Sequence, residues 1–199
     1  TFDTPIGLLE FVEKLRELSG GKPVGFKLCI GHRSEFFGIC KAMVATGIHP
    51  DFITVDGTEG GTGAAPVELS NSVGMPFQQG LWFVNNALRG VGFRDRVRVV
   101  AAGKIVTGFH LFRAIALGAD LCNSARPMMF ALGCIQARQC NTNTCPVGVA
   151  TQNPAQTVGL VPADKGPRVA RYQAATVKAF LEMVAAAGLE DPCDIRPFH

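Results

Sequence analysis

One pattern runs through most of this 199-residue chain and limits its folds more than any other feature: strand, turn, helix, glycine stop, strand. Residues 6–18 place Leu8, Phe11, Val12, Leu15 and Leu18 at helical spacing. Thr4-Pro5 is a suitable start and Ser19-Gly20-Gly21 a stop. Pro23 to Ile30 reads as a buried strand with one odd residue, Lys27. Ser34 is placed to cap a helix running to Thr46, where Gly47 ends it. Asp51 to Asp56, rich in β-branched residues, is the next strand; a helical stretch over 78–90 carries Leu81, Trp82, Val84, Asn85 and Leu88. Val97 to Ala101 is a third strand, followed by a helix capped by Thr107 and closed by Gly118. Ala119 to Cys122 makes a fourth, and Pro127 suits the first turn of another helix.

Consecutive strands joined by helices are parallel, and such crossovers are right-handed. Four units suit half of a (β/α)8 barrel or an open sheet of four to five strands; a closed barrel needs eight strands and typically about 250 residues. The pattern alone does not choose between them.

The composition fits an α/β core: 47% hydrophobic, 18% charged and 23 glycines. A net charge of +3 without clustered basic and aromatic residues gives no sign of nucleic-acid binding. No apolar run reaches membrane-spanning length, and seven cysteines without a disulfide-scaffold pattern suit a reducing compartment, so a cytoplasmic location is expected. Cys29 and Cys122 are expected as core thiols, and Trp82 as a packing residue. His110 and Arg113 are expected on the solvated face of their helix, and none of the four histidines has ligand spacing.

In either architecture ligands lie at the C-terminal ends of the strands. Lys27 sits inside an apolar strand, where an uncompensated ammonium is costly; it either faces a site or reaches solvent along its stem. The Gly60-Gly61-Thr62-Gly63 loop could bring backbone amides against a flat ring or a phosphate, or simply be a surface loop. Gly103-Lys104 and Asn123-Ser124-Ala125-Arg126 each precede a helix, where free amides favour phosphate and Arg126 adds a charged fork.

A further loop carries Cys134, Cys140 and Cys145 within twelve residues, followed by Pro146. Such a loop could turn three soft thiolates toward one inorganic core, or hold three reduced thiols; without C-x2-C knuckles a zinc ribbon is disfavoured. Cys134 is placed at the end of a helix. The tail from Lys165 to Gly188 reads as an amphipathic helix.

Taken together, Lys27, the run Asp56-Gly57-Thr58-Glu59-Gly60-Gly61-Thr62-Gly63-Ala64-Ala65-Pro66 and the cysteine block through Gln152 closely resemble the flavin domain of glutamate synthase, especially the stand-alone glutamate synthase-like proteins. The resemblance covers about 23–152 and implies the C-terminal half of an FMN-binding (β/α)8 barrel, beginning at its fifth strand. The cluster loop then spans 133–152 and the terminal helix 165–188. It implies Lys27 beside the flavin as a catalytic group, and Gly60, Gly61, Thr62 and Gly63 along the ring or substrate pocket. Gly103, Lys104, Ser124, Ala125 and Arg126 would lie near the FMN phosphate, with Cys134, Cys140 and Cys145 on a 3Fe-4S cluster.

The implied activity is reductive amination of 2-oxoglutarate to glutamate, with electrons passing through the cluster to FMN. The implied partners are an electron-donor protein or NAD(P)H reductase and a separate amidotransferase subunit. An electron-transfer or assembly module that keeps the cluster without substrate chemistry is the alternative. Two turns depart from the family pattern, at Ala102-Gly103-Lys104 and Asn123-Ser124-Ala125-Arg126, so altered phosphate contacts are expected. A half barrel leaves two unpaired edges and an apolar interior face, so association with a second copy or with the remainder of a barrel is expected.

Overall fold

A computed structural model describes residues 2–61, 65–66 and 68–199. It contains four parallel strands, β1 (Gly25–Cys29), β2 (Phe52–Asp56), β3 (Arg98–Ala101) and β4 (Leu121–Cys122), in the order β1-β2-β3-β4. The helices are α1 (Pro5–Leu18), α2 (Arg33–Thr46), α3 (Phe77–Gly90), α4 (Gly108–Ala116), α5 (Arg126–Leu132), α6 (Pro154–Thr157) and α7 (Pro162–Ala186), with a final 3-10 turn at Pro192–Asp194. The α/β class and the four units expected from sequence are therefore present, laid out as an open segment of barrel.

Helix boundaries follow local chemistry. The Thr4 hydroxyl accepts from the Gly7 N–H at 3.0 Å, and Gly47 ends α2 in the left-handed region at φ 74°. Ser34 is not a cap. The chain enters α2 two residues earlier, at His32, whose N–H donates to the Glu35 carboxylate. Thr107 caps α4 as expected, accepting from the His110 N–H.

Strand register sets the two faces of the sheet. Lys27 pairs with Thr54, Cys29 with Asp56, and Thr54 with Val100, so these side chains share one face. Ile53, Val55, Val99 and Ala101 point to the other face, where Leu9, Phe36, Met43, Phe77, Leu81, Val84 and Leu88 close the main core. At roughly 25 cal/mol per Å2 of buried apolar surface, this helix-covered face is the main source of stability. The opposite face corrects two expectations. It is not an apolar interior, because Lys27, Cys29, Thr54 and Asp56 occupy it; and Cys29 is exposed rather than a core thiol.

A second small core forms where α7 lies on α4, through Phe112, Phe180, Val184 and Ile195. Gly108 permits it: a Cβ there would stand 2.5 Å from the Phe180 backbone nitrogen. The terminal helix begins at Pro162 and ends at Ala186, earlier at both ends than the sequence pattern suggested. Among the described residues no helix is long and apolar enough to cross a membrane.

Candidate active site at the strand ends

At the C-terminal end of β2 the Asp56 carboxylate, only 7% exposed, makes three uses of its position. One oxygen pairs with Lys27 Nζ at 2.7 Å, and the other accepts from the Gly57 N–H at 2.9 Å. Gly60 lies against the same carboxylate, where a Cβ would come within 2.2 Å of it. Lys27 stands on the open face of the sheet with its side chain 58% exposed and its charge compensated by a buried acid, a placement that suits both of its readings.

The neighbouring strand ends converge on Phe77, which sequence inspection did not single out. A Cβ on Gly57 would meet the Phe77 backbone, and one on Gly103 would stand 2.1 Å from its side chain. Glu59 fastens the same place, accepting from the Phe77 N–H at 2.9 Å at the start of α3. Gly103 is therefore buried and spent on packing. Lys104 beside it is exposed at φ 47°.

The fourth turn is tied in similarly. The Ser124 hydroxyl donates to the Ile105 carbonyl at 2.8 Å, Ala125 begins the turn into α5, and Arg126 reaches the Gly61 carbonyl at 3.4 Å. Thr62 and Gly63 lie outside the described residues. The Thr58 hydroxyl is buried without a hydrogen-bond partner among the described residues.

Four thiols differ sharply here. Burial pushes Cys40 and Cys122 up to about 11. Cys29, whose sulfur packs on Gly74, is raised by partial burial and by the carboxylates of Asp56 and Glu59. Cys145 is lowered. Burial opposes its ionisation, but the backbone N–H groups of Ala150, Val147, Val149 and Gly148 outweigh that cost.

The cysteine loop follows α5, which stops at Leu132 with Gly133 in the left-handed region, so Cys134 lies two residues past the helix rather than ending it. Asn143 braces the loop by accepting from Thr151 Oγ1 and the Gln152 N–H, each at 2.7 Å. Cys134 is half-buried, Cys140 exposed and Cys145 buried. Among the described residues no three His, Cys, Asp or Glu side chains stand close enough to hold one metal ion. The donor chemistry of the three thiols suits iron–sulfur ligation.

Several further residues are placed differently from expectation. Trp82 is 43% exposed, on the side of α3 away from the core. His110 is not simply solvated: it is partly buried, and its Nδ1 accepts from the Val106 and Thr107 N–H groups. Arg113 is likewise half-buried, stacked over the Phe109 ring.

Residues 2–190 match the family model described as the conserved region in glutamate synthase. The chain belongs to the glutamate synthase family. It is 43% identical over 198 residues to the glutamate synthase large subunit-like protein YerD of Bacillus subtilis, covering all of this chain and 38% of YerD. It is 34% identical to the archaeal glutamate synthase [NADPH] of Methanocaldococcus jannaschii, covering 92% of this chain and 35% of that protein. The chain thus spans little more than a third of these relatives.

Among solved structures it resembles L230A mutant flavocytochrome b2 with benzoylformate at a TM-score of 0.55 and 13% identity, over 93% of this chain and 37% of the other. It also resembles DHODH in complex with ferulenol from Eimeria tenella at 0.51 and 18%, over 90% and 39%. These likenesses bear on fold, and they agree with a partial barrel. Asp56, Glu59 and Phe77 were missed from sequence; the available signal was a second charged residue closing a strand beside the one that holds Lys27.

Proposed function

We propose that this chain supplies the C-terminal barrel half of an FMN-dependent, glutamate synthase-type oxidoreductase that reductively aminates 2-oxoglutarate to glutamate. The observation carrying this reading is the Lys27–Asp56 pair on the open face at the strand ends, in a chain of this family. The residues suit a flavin: an accessible ammonium, a loop with no side chains at Gly60 and Gly61, and a buried Thr58 hydroxyl lacking a partner among the described residues.

FMN, when bound, supplies hydride transfer. Lys27 would offer its ammonium to the electron-rich edge of the ring, and Asp56 would fix the direction in which that ammonium points. Gly60 and Gly61 would let backbone approach the ring, while Arg126, held at the Gly61 carbonyl, and Lys104 would add positive charge at the phosphate end. Ser124 is a backbone-committed brace for that turn rather than a free donor. The net reaction joins 2-oxoglutarate and ammonia with loss of water, then adds a hydride and a proton to give glutamate.

Cys134, Cys140 and Cys145 are the candidate thiolates for an iron–sulfur centre of 3Fe-4S type. The source of electrons would be a donor protein or NAD(P)H reductase, and of ammonia a separate amidotransferase.

Anaerobic purification of the protein with its complete barrel, followed by an absorption spectrum, iron analysis and a 2-oxoglutarate-dependent glutamate assay, tests this reading. Flavin bands and activity that Lys27→Met sharply lowers are expected. A folded protein containing iron but no flavin would overturn it in favour of an electron-transfer or assembly module.

A further inference from the structure

The end of the sheet opposite the candidate active site holds a cavity of about 650 Å3. The strands are parallel, and Arg98 and Leu121 are the first residues of β3 and β4, so this cavity opens at the N-terminal strand ends. Four guanidinium groups line it, from Arg89, Arg94, Arg98 and Arg196, together with the single carboxylate of Asp120.

That carboxylate is already committed. Asp120 Oδ2 pairs with Arg94 at 2.9 Å and accepts from the Val99 N–H at 2.7 Å, while its other oxygen lies a loose 3.7 Å from Arg98. Arg94 is likewise spent, donating to Asn85 Oδ1 and to the Val97 and Gly118 carbonyls. The remaining cations are less committed. Arg89 and Arg196 have no carboxylate salt-bridge partner among the described residues, and Arg98 is 65% exposed. Arg196 is anchored through one nitrogen, Nη1, which donates to the Cys193 and Ile195 carbonyls at 2.7 and 3.0 Å. Four positive charges against one negative leave the cavity strongly cationic.

The walls are of a different kind. Trp82 and Arg89, seven residues apart on α3, fall on one side of that helix, and Ile115 of α4 faces the same space. An exposed indole beside an aliphatic wall suits a flat ring, and planar guanidinium forks suit phosphate oxygens.

We propose that this cavity is a binding site for an organic phosphate with a flat ring, of the mononucleotide class, separate from the flavin chemistry at the opposite strand ends. Arg89, Arg98 and Arg196 hold the phosphate, and Trp82 packs against the ring. The site is built from this chain alone and does not depend on the proposed reaction.

Trp82 is the only tryptophan in the chain, so its fluorescence reports on the cavity directly. The protein is titrated with AMP, adenosine and inorganic phosphate, with the indole excited at the red edge of its absorption, where adenine is transparent. Calorimetry repeats each titration. AMP is expected to give a saturable change and heat, with adenosine and phosphate each at least about tenfold weaker. The surface pair Arg89→Gln and Arg196→Gln together should weaken AMP by about tenfold or more while leaving circular dichroism unchanged. Higher salt should weaken AMP binding in the parent protein, a check that needs no variant to fold. The proposal fails if AMP gives no saturable signal, or if either fragment binds as tightly as AMP. It also fails if salt and the double substitution leave AMP affinity unchanged.

Discussion

The Glu59 carboxylate accepts a 2.9 Å hydrogen bond from the backbone N–H of Phe77, so a loop residue provides the cap that α3 lacks locally. Pro76, the residue at the cap position, has no side-chain acceptor. The acid also places negative charge at the positive end of the helix dipole. Loop and helix therefore share one anchor.

Glu59→Ala should remove that anchor and lower stability by about 1 kcal/mol, in the range for loss of an N-cap. Glu59→Gln, which keeps an acceptor but loses the charge, should cost less. Thermal or urea unfolding of both variants checks the order.

Asp56→Asn should make Cys29 more reactive. The thiol is raised by partial burial and by negative charge from Asp56 and Glu59, so removing one charge moves it down and increases the thiolate fraction near pH 8. Iodoacetamide labelling followed by mass spectrometry should show faster modification of Cys29, while buried Cys40 stays slow in both proteins. An unchanged Cys29 rate would contradict the electrostatic account.

Gly108→Ala should destabilise the protein by about 1–3 kcal/mol, because the new methyl group meets backbone rather than a movable side chain. The loss should be concentrated in the packing of α7 on α4. Hydrogen exchange is expected to show α7 amides opening more readily than those of β1 and β2.

His110 gives a pH dependence with a definite sign. Burial lowers it first, and the nearby Arg113 charge adds to this, so the folded state favours the neutral ring. Its Nδ1 accepts two backbone N–H groups, which a protonated ring cannot do. Stability is full above the unfolded pKa of about 6.5, falls as the unfolded chain takes up its proton below that, and levels off below the folded value. His110→Ala should be less stable at pH 8 and should show a smaller decline between pH 7 and pH 5. Thermal melts across that range measure both.

Much of the fold was legible because helix ends carry their own chemistry: Thr4, Gly47, Thr107 and Gly118 each mark a boundary through a hydroxyl or a left-handed turn. Of the candidate site, the sequence drew attention to Lys27, where a charge interrupts an apolar strand. Cys29 was misread because an apolar run was taken as buried on both faces; strand alternation already puts it on the face of Lys27. Trp82 was expected to pack because of its large apolar surface, although Arg89 seven positions on is polar. Phe77 was illegible for a different reason. Its role depends on the meeting of two loops far apart in the chain, which no local pattern encodes.

That meeting has an evolutionary corollary. With the Phe77 ring filling the space left by the absent side chain of Gly103, a bulkier residue at 103 demands a smaller one at 77, whereas at Gly57 any Cβ meets the Phe77 backbone and no change of side chain at 77 relieves it. Across related sequences positions 77 and 103 should drift together while 57 stays glycine, leaving a covariation signature that links a turn to the first residue of a distant helix.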